Sequence, residues 1–143
     1  MKVKASKRIS NGNDAEGPIP WQVAVYKRIE HWLILGCGAS IIDENTILTA
    51  AHCFEKEQGP NSKIMDAAPE KYFLILGLLK NSEAYTKTRY QIEKIVIHPK
   101  YNPKELENDI AILKTKKQIE FTSTIQPICL PSKKDLPIGL ISH

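Results

Sequence analysis

His52 is the residue of this chain best suited to proton-transfer chemistry. It follows the small pair Ala50-Ala51 at the end of a short apolar run and is followed by Cys53. General acid–base catalysis needs a side chain that takes and returns a proton near neutrality. Imidazole, with an ordinary pKa of about 6.5, does this when its orientation is held. A disulfide at the neighbouring Cys53 could hold it. Taken alone, a histidine in this setting is more often an ordinary structural residue than a base or ligand. His52, Cys53 and Cys37 are also of the types that bind zinc, but a structural site takes four ligands and the spacing offers no convincing fourth, so no metal is expected. His98, before Pro99, reads as a strand-end surface residue, and His31, before Trp32, as part of a hairpin.

The elements that must position these residues read as strands. Short apolar runs rich in β-branched and aromatic residues, bounded by Gly, Pro, Asn or Asp, recur near 21–26, 33–42, 46–50, 72–76, 89–97 and 110–114. No stretch keeps a period near 3.6 for long enough to form an amphipathic helix, and nine prolines interrupt most candidate windows. An all-β domain, a small barrel or sandwich, follows. Residues 55–69 are polar, broken by Gly59, Pro60 and Pro69, and read as a long surface loop. Pro127, Pro131 and Pro137 suit a connecting strap better than a central strand.

Composition narrows the functional classes. The chain has 143 residues, enough for one core, and a net charge of +4 from 20 basic and 16 acidic residues spread along its length. No basic stripe marks a nucleic-acid surface, and the basic start from Met1 to Arg8 has no apolar face to anchor it to a membrane. No run approaches the roughly 18 apolar residues of a membrane span. The sequence passes from Arg8 to Ile9-Ser10-Asn11-Gly12 without the apolar core of a secretory signal, so either the chain is cytosolic or its true start lies upstream. Three cysteines, Cys37, Cys53 and Cys129, are an odd set, which in a secreted protein suggests a partner elsewhere.

Three stretches in order change the weight given to His52. Cys37-Gly38-Ala39-Ser40-Ile41-Ile42 comes first, Thr49-Ala50-Ala51-His52-Cys53 follows, and Asn108-Asp109-Ile110-Ala111-Ile112-Leu113 comes later. The combination resembles the trypsin and chymotrypsin-like serine proteases of the peptidase S1 type. Further segments match from Arg8 to about Pro131: Arg8-Ile9 resembles the activation cleavage point, Pro20-Trp21-Gln22-Val23 the first barrel strand, and Ile97-His98-Pro99-Lys100-Tyr101-Asn102 the approach to the triad aspartate. Pro127-Ile128-Cys129-Leu130-Pro131 resembles the strap joining two barrels.

The resemblance implies the first six-stranded antiparallel barrel of the chymotrypsin-like double-barrel fold. Residues 1–8 would be a remnant of the activation segment, 9–125 the barrel, and 126–143 the strap and the start of a second barrel missing from this chain. It further implies His52 as general base, Asp109 as its orienting acid, a Cys37–Cys53 disulfide, and a Cys129 whose partner is absent from the stretch between Met1 and Arg8. The nucleophilic serine of such enzymes sits in Gly-Asp-Ser-Gly-Gly, and this chain has no Gly-Gly pair. Ser40, in Gly38-Ala39-Ser40, aligns with a structural part of the barrel. The implied activity is serine endopeptidase, with the chain alone inactive. Its partners would be protein or peptide substrates and proteinaceous inhibitors, its setting extracellular, with no cofactor, nucleic acid or membrane.

Two departures qualify the resemblance. Ser10-Asn11-Gly12 stands where the family has Val-Gly-Gly, and Asn11 tolerates the left-handed backbone that this position uses. Leu76-Gly77 is followed by Leu78 where calcium-binding relatives place an acid, so no calcium site is expected. The rival reading is a non-catalytic protease homologue acting as a protein-binding module, against which the presence of both His52 and Asp109 speaks.

Overall fold

The computed structural model describes residues 2–4, 19–60, 62–77 and 89–130. Arg8, Ile9, Asn11 and Leu78, and with them the expectations about activation and calcium, lie outside these residues, as do 131–143. Among these described residues there are nine strands: β1 Lys2–Lys4, β2 Gln22–Ile29, β3 Trp32–Asp43, β4 Thr46–Thr49, β5 Glu55–Gly59, β6 Ser62–Met65, β7 Tyr72–Leu76, β8 Arg89–Ile97 and β9 Ala111–Thr115. Neighbouring strands run β3-β2-β7-β8-β9-β4, and β4 pairs back onto β3, so six antiparallel strands close into a barrel. Closure leaves none of these strands an unpaired edge. The short β1 adds in parallel to β3, with Val3 opposite Leu33.

Alternation along the strands fills the barrel. Val23 and Val25 of β2, Ile41 of β3, Ile47 of β4, Leu74 of β7, Ile92 of β8 and Leu113 of β9 share one buried core with Phe54 and Tyr72. A second buried cluster, Ala24, Tyr26, Leu33, Leu35, Phe73 and Ile75, lies on the opposite face of β2, β3 and β7. Because β7 is buried on both faces, it reads as an unbroken apolar run with no alternation.

Single-residue bulges let one strand serve both clusters. In β3 the register against β2 shifts at Gly36: Val25 faces Cys37 while Tyr26 faces Leu35. A side chain two residues along a regular strand stays on the same face, so Leu33 and Leu35 would otherwise share a face with Cys37, Ala39 and Ile41. The extra residue moves them to the second cluster instead. β8 repeats the device at Glu93, which transfers the core-facing role from Tyr90 and Ile92 to Ile95 and Ile97.

Residues 55–69 depart from the expected loop. They form a two-stranded antiparallel hairpin, β5 against β6, with Glu55 opposite Met65 and Lys56 opposite Ile64. Apart from the half-buried Glu55, every residue of both strands is exposed, so no alternation of apolar and polar residues marks them as strands. Backbone pairing carries the hairpin, and its base is fixed to the barrel. Asp66 N–H donates to Phe54 O at 2.5 Å. The Asp66 carboxylate, 8% exposed, receives Lys27 Nζ at 3.0 Å and Lys71 Nζ at 2.9 Å. The Tyr72 hydroxyl donates to Asp66 O at 2.6 Å, and burial together with the Asp66 charge pushes its pKa up to about 12, so it stays a donor.

The hydrogen bond from Lys71 lowers the Asp66 pKa below the ordinary carboxylate value; burial opposes this and Lys27 reinforces it. A depressed folded pKa contributes stability that is complete above the unfolded value near 3.9 and is lost as pH falls through the folded value. Asp66→Asn is therefore expected to destabilise the chain by about 1–3 kcal/mol at pH 7, the range for charged hydrogen bonds to a buried group. Urea unfolding across pH should show the gap between variant and wild type closing below about pH 4. A gap that persists undiminished at pH 3 would contradict this account.

Candidate active site

The strand register brings together two residues far apart in sequence. β4 and β9 pair so that Thr49, the last residue of β4, lies opposite Ala111, the first of β9. His52 stands shortly after Thr49, and Asp109 shortly before Ala111. Both therefore emerge at the same end of the barrel, and their side chains meet: His52 Nδ1 lies 2.6 Å from Asp109 Oδ2, and His52 N–H donates to Asp109 Oδ1 at 2.7 Å.

Each segment is held by its own contacts. His52 sits in a short 3-10 turn, Ala51–Phe54, whose Ala51 and Phe54 side chains are buried. Phe54 packs edge-on against Tyr72 at 5.0 Å. These apolar anchors leave His52 half exposed at 52%. Cys53 forms a disulfide with Cys37 of β3, closing a loop of sequence separation 16. Thr49 Oγ1 donates to Gly38 O at 2.9 Å, a further tie between the strand before His52 and β3. Cys37, Cys53 and His52 place ligand-type atoms within 4.8 Å of one another, but both sulfurs are spent in the disulfide and neither is a thiolate.

The loop from β8 to β9 carries Asp109. His98 N–H donates to Ile110 O at 3.0 Å, closing the loop at its base, and Asn102 N–H donates to Glu107 O at 2.9 Å. Asn108 adopts a left-handed backbone, φ 56°, which asparagine accepts more readily than most residues. Its Nδ2 donates to Lys100 O at 3.0 Å. The turn at Asn108 re-aims the chain so that the next side chain, Asp109, reaches His52.

Burial of Asp109, which is 20% exposed, would raise its pKa. The hydrogen bonds from the His52 ring and the His52 backbone N–H, the His52 charge and the Ala51 N–H outweigh burial and leave the carboxyl below its ordinary value. An ionised Asp109 accepts from Nδ1–H, which fixes the ring tautomer and leaves Nε2 with its lone pair. A neutral imidazole held this way can take up a proton at Nε2.

A groove beside His52 runs between the β5–β6 hairpin and the β8–β9 loop, lined by Glu55, Lys56, Glu57, Lys63, Pro103 and Leu106. Glu55 and Lys63 contribute to this site although their segment reads as an undistinguished polar loop in the sequence. No local signal marks them, because their role depends on where the hairpin folds. Ser40 lies in β3, opposite Leu48 of β4 and Gln22 of β2, and is not among the groove residues. Cys129 is exposed and unbonded. Near it the chain runs back along the barrel, with Gln126 N–H donating to Pro20 O and Ile128 N–H to Ile41 O. Among the described residues, no helix is long and apolar enough to cross a membrane.

Two outcomes are expected. Replacing both bonded cysteines, Cys37→Ser with Cys53→Ser, should cost about 3 kcal/mol in urea unfolding, the scale for a loop of this length. No loss would contradict the role given to this disulfide. The low pKa of Asp109 keeps its contact with His52 intact down to about pH 4, with loss only below the ordinary carboxylate value of about 3.9. Carboxyl NMR shifts followed against pH check this, and a midpoint above 3.9 would contradict it.

Residues 9–141, which include His52, Asp109 and all six barrel strands, match the protein-family model described as Trypsin. This match covers most of the sequence and agrees with the closed antiparallel barrel. The chain belongs to the trypsin family of serine proteases.

Proposed function

We propose that this chain supplies the general base, His52, and its orienting acid, Asp109, of a serine endopeptidase. The contact of the His52 ring and backbone with one carboxylate, across 57 residues of sequence, carries the reading. In Ser-His-Asp chemistry the aspartate holds the Nδ1–H tautomer and stabilises the imidazolium. Nε2 takes the proton of the serine hydroxyl as it attacks the carbonyl, then returns it to the leaving amine. The half-exposed ring beside an open groove suits a base that must meet a substrate. The substrates in this reading are peptide bonds of proteins.

In this proposal the nucleophile and the oxyanion-hole donors are not drawn from these 143 residues. Among the described residues, the groove beside His52 holds no serine, and the sequence has no Gly-Gly pair. Ile19 and Trp21, both large apolar side chains left exposed, line a second groove with Gln22, Gly38, Ala39, Ser40 and Leu48, a face that a second barrel would cover in this reading. In this proposal Arg8–Ile9 is the activation point, 9–125 the first barrel, and 126–143 the strap with the start of a second barrel. The Cys37–Cys53 disulfide suits an oxidising, extracellular setting.

Oxyanion stabilisation and the nucleophile account for orders of magnitude of rate in such enzymes. The purified chain is therefore expected to hydrolyse Arg, Phe and Leu ester substrates no faster than buffer. Turnover abolished by a serine-directed phosphonate would overturn the assignment of the nucleophile to residues outside this chain.

A further inference from the structure

Besides the His52–Asp109 contact, a second link joins the two segments that carry these residues. Glu55 follows the 3-10 turn directly, and its backbone N–H donates to His52 O. Its side chain is only 9% exposed, a carboxylate taken largely out of water. A group so placed needs partners, because an unpaired buried charge is costly. The hydroxyl of Tyr101 donates to Glu55 Oε1, and Lys63 Nζ of β6 lies 3.8 Å from Oε2.

Tyr101 belongs to the segment that holds Asp109. Its N–H donates to His98 O, its neighbour Lys100 accepts Asn108 Nδ2, and its other neighbour Asn102 pairs with Glu107. One path thus runs from His52 O through Glu55 to Tyr101, and from there through Lys100 to Asn108, the residue before Asp109. The direct contact between His52 and Asp109 closes it into a ring.

We infer that Glu55 and Tyr101 are positioning residues that hold the Asp109 loop against the His52 turn and so keep the base and its acid in register. The inference rests on the reading of His52 and Asp109 proposed above. Useful orientation of a base demands tolerances of about 0.5 Å, and both hydrogen bonds of His52 fall on the single Asp109 side chain, whose loop must itself be held in place. A buried, hydrogen-bonded carboxylate beside that contact restricts the motion of this loop. Lys63 extends the restraint to the hairpin, so the groove shared by His52, Pro103 and Leu106 keeps its shape.

The test compares the intact chain with Tyr101→Phe, Glu55→Ala and Glu55→Gln, reading the solvent-exchange rate of the His52 Nδ1 proton by NMR beside the melting temperature. Loss of one charged hydrogen bond should speed exchange about tenfold in Tyr101→Phe and Glu55→Ala. Glu55→Gln retains an acceptor for the tyrosine hydroxyl and should stay within about threefold of wild type. A lower melting temperature in Tyr101→Phe with unchanged exchange would make the link merely structural and overturn the inference, as would no change in either. If Glu55→Ala fails to fold, Tyr101→Phe, which loses a single hydroxyl, decides alone. A wild-type chain with no protected Nδ1 proton would overturn the base–acid reading together with this inference. Failure confined to the variants overturns this inference only.

Discussion

The antiparallel register that sets Thr49 opposite Ala111 is the constraint on which the site depends. A slip by one residue would turn Ile47, Ala111 and Leu113 out of the core, and the cost of exposing those side chains holds the pairing where it is. Given this register, the residues just beyond the two strand ends are neighbours. The 3-10 turn and the left-handed Asn108 then need only aim their side chains. The chemistry of His52 is in this sense a consequence of burying apolar residues far below it.

Around that point the fold separates rigid anchors from exposed function. Phe54 and Ala51 fix the turn from below, the disulfide ties Cys53 to β3, and the Asp66 ion pairs pin the base of the hairpin. The hairpin itself buries almost nothing and is held at its base. Apart from Glu55, its side chains face solvent and do not fill the barrel.

Much of the fold was legible in the sequence because the six barrel strands are short apolar runs, rich in β-branched and aromatic residues and bounded by Gly, Pro, Asn or Asp. The reading failed where burial stops distinguishing faces. β5 and β6 are polar on both sides, so nothing in residues 55–69 separates a hairpin from a loop. The bulges at Gly36 and Glu93 were equally hidden, since an extra residue in a strand shows only once its partner is known. His52 and Asp109 stood out through the motifs around them and not through any spacing between them. Glu55 had no such motif, and although Tyr101 lies in the stretch leading to Asp109, nothing in that stretch pointed to Glu55; their meeting across 46 residues is a product of the fold.

The central claim is that Asp109 fixes His52 as a base with its lone pair on Nε2. Nitrogen NMR of the His52 ring, at a pH where it is neutral, tests this most directly. The account predicts the Nδ1–H tautomer in the wild-type chain and its loss in Asp109→Ala. An Nε2–H tautomer in the wild type, or a ring indifferent to that substitution, would contradict it.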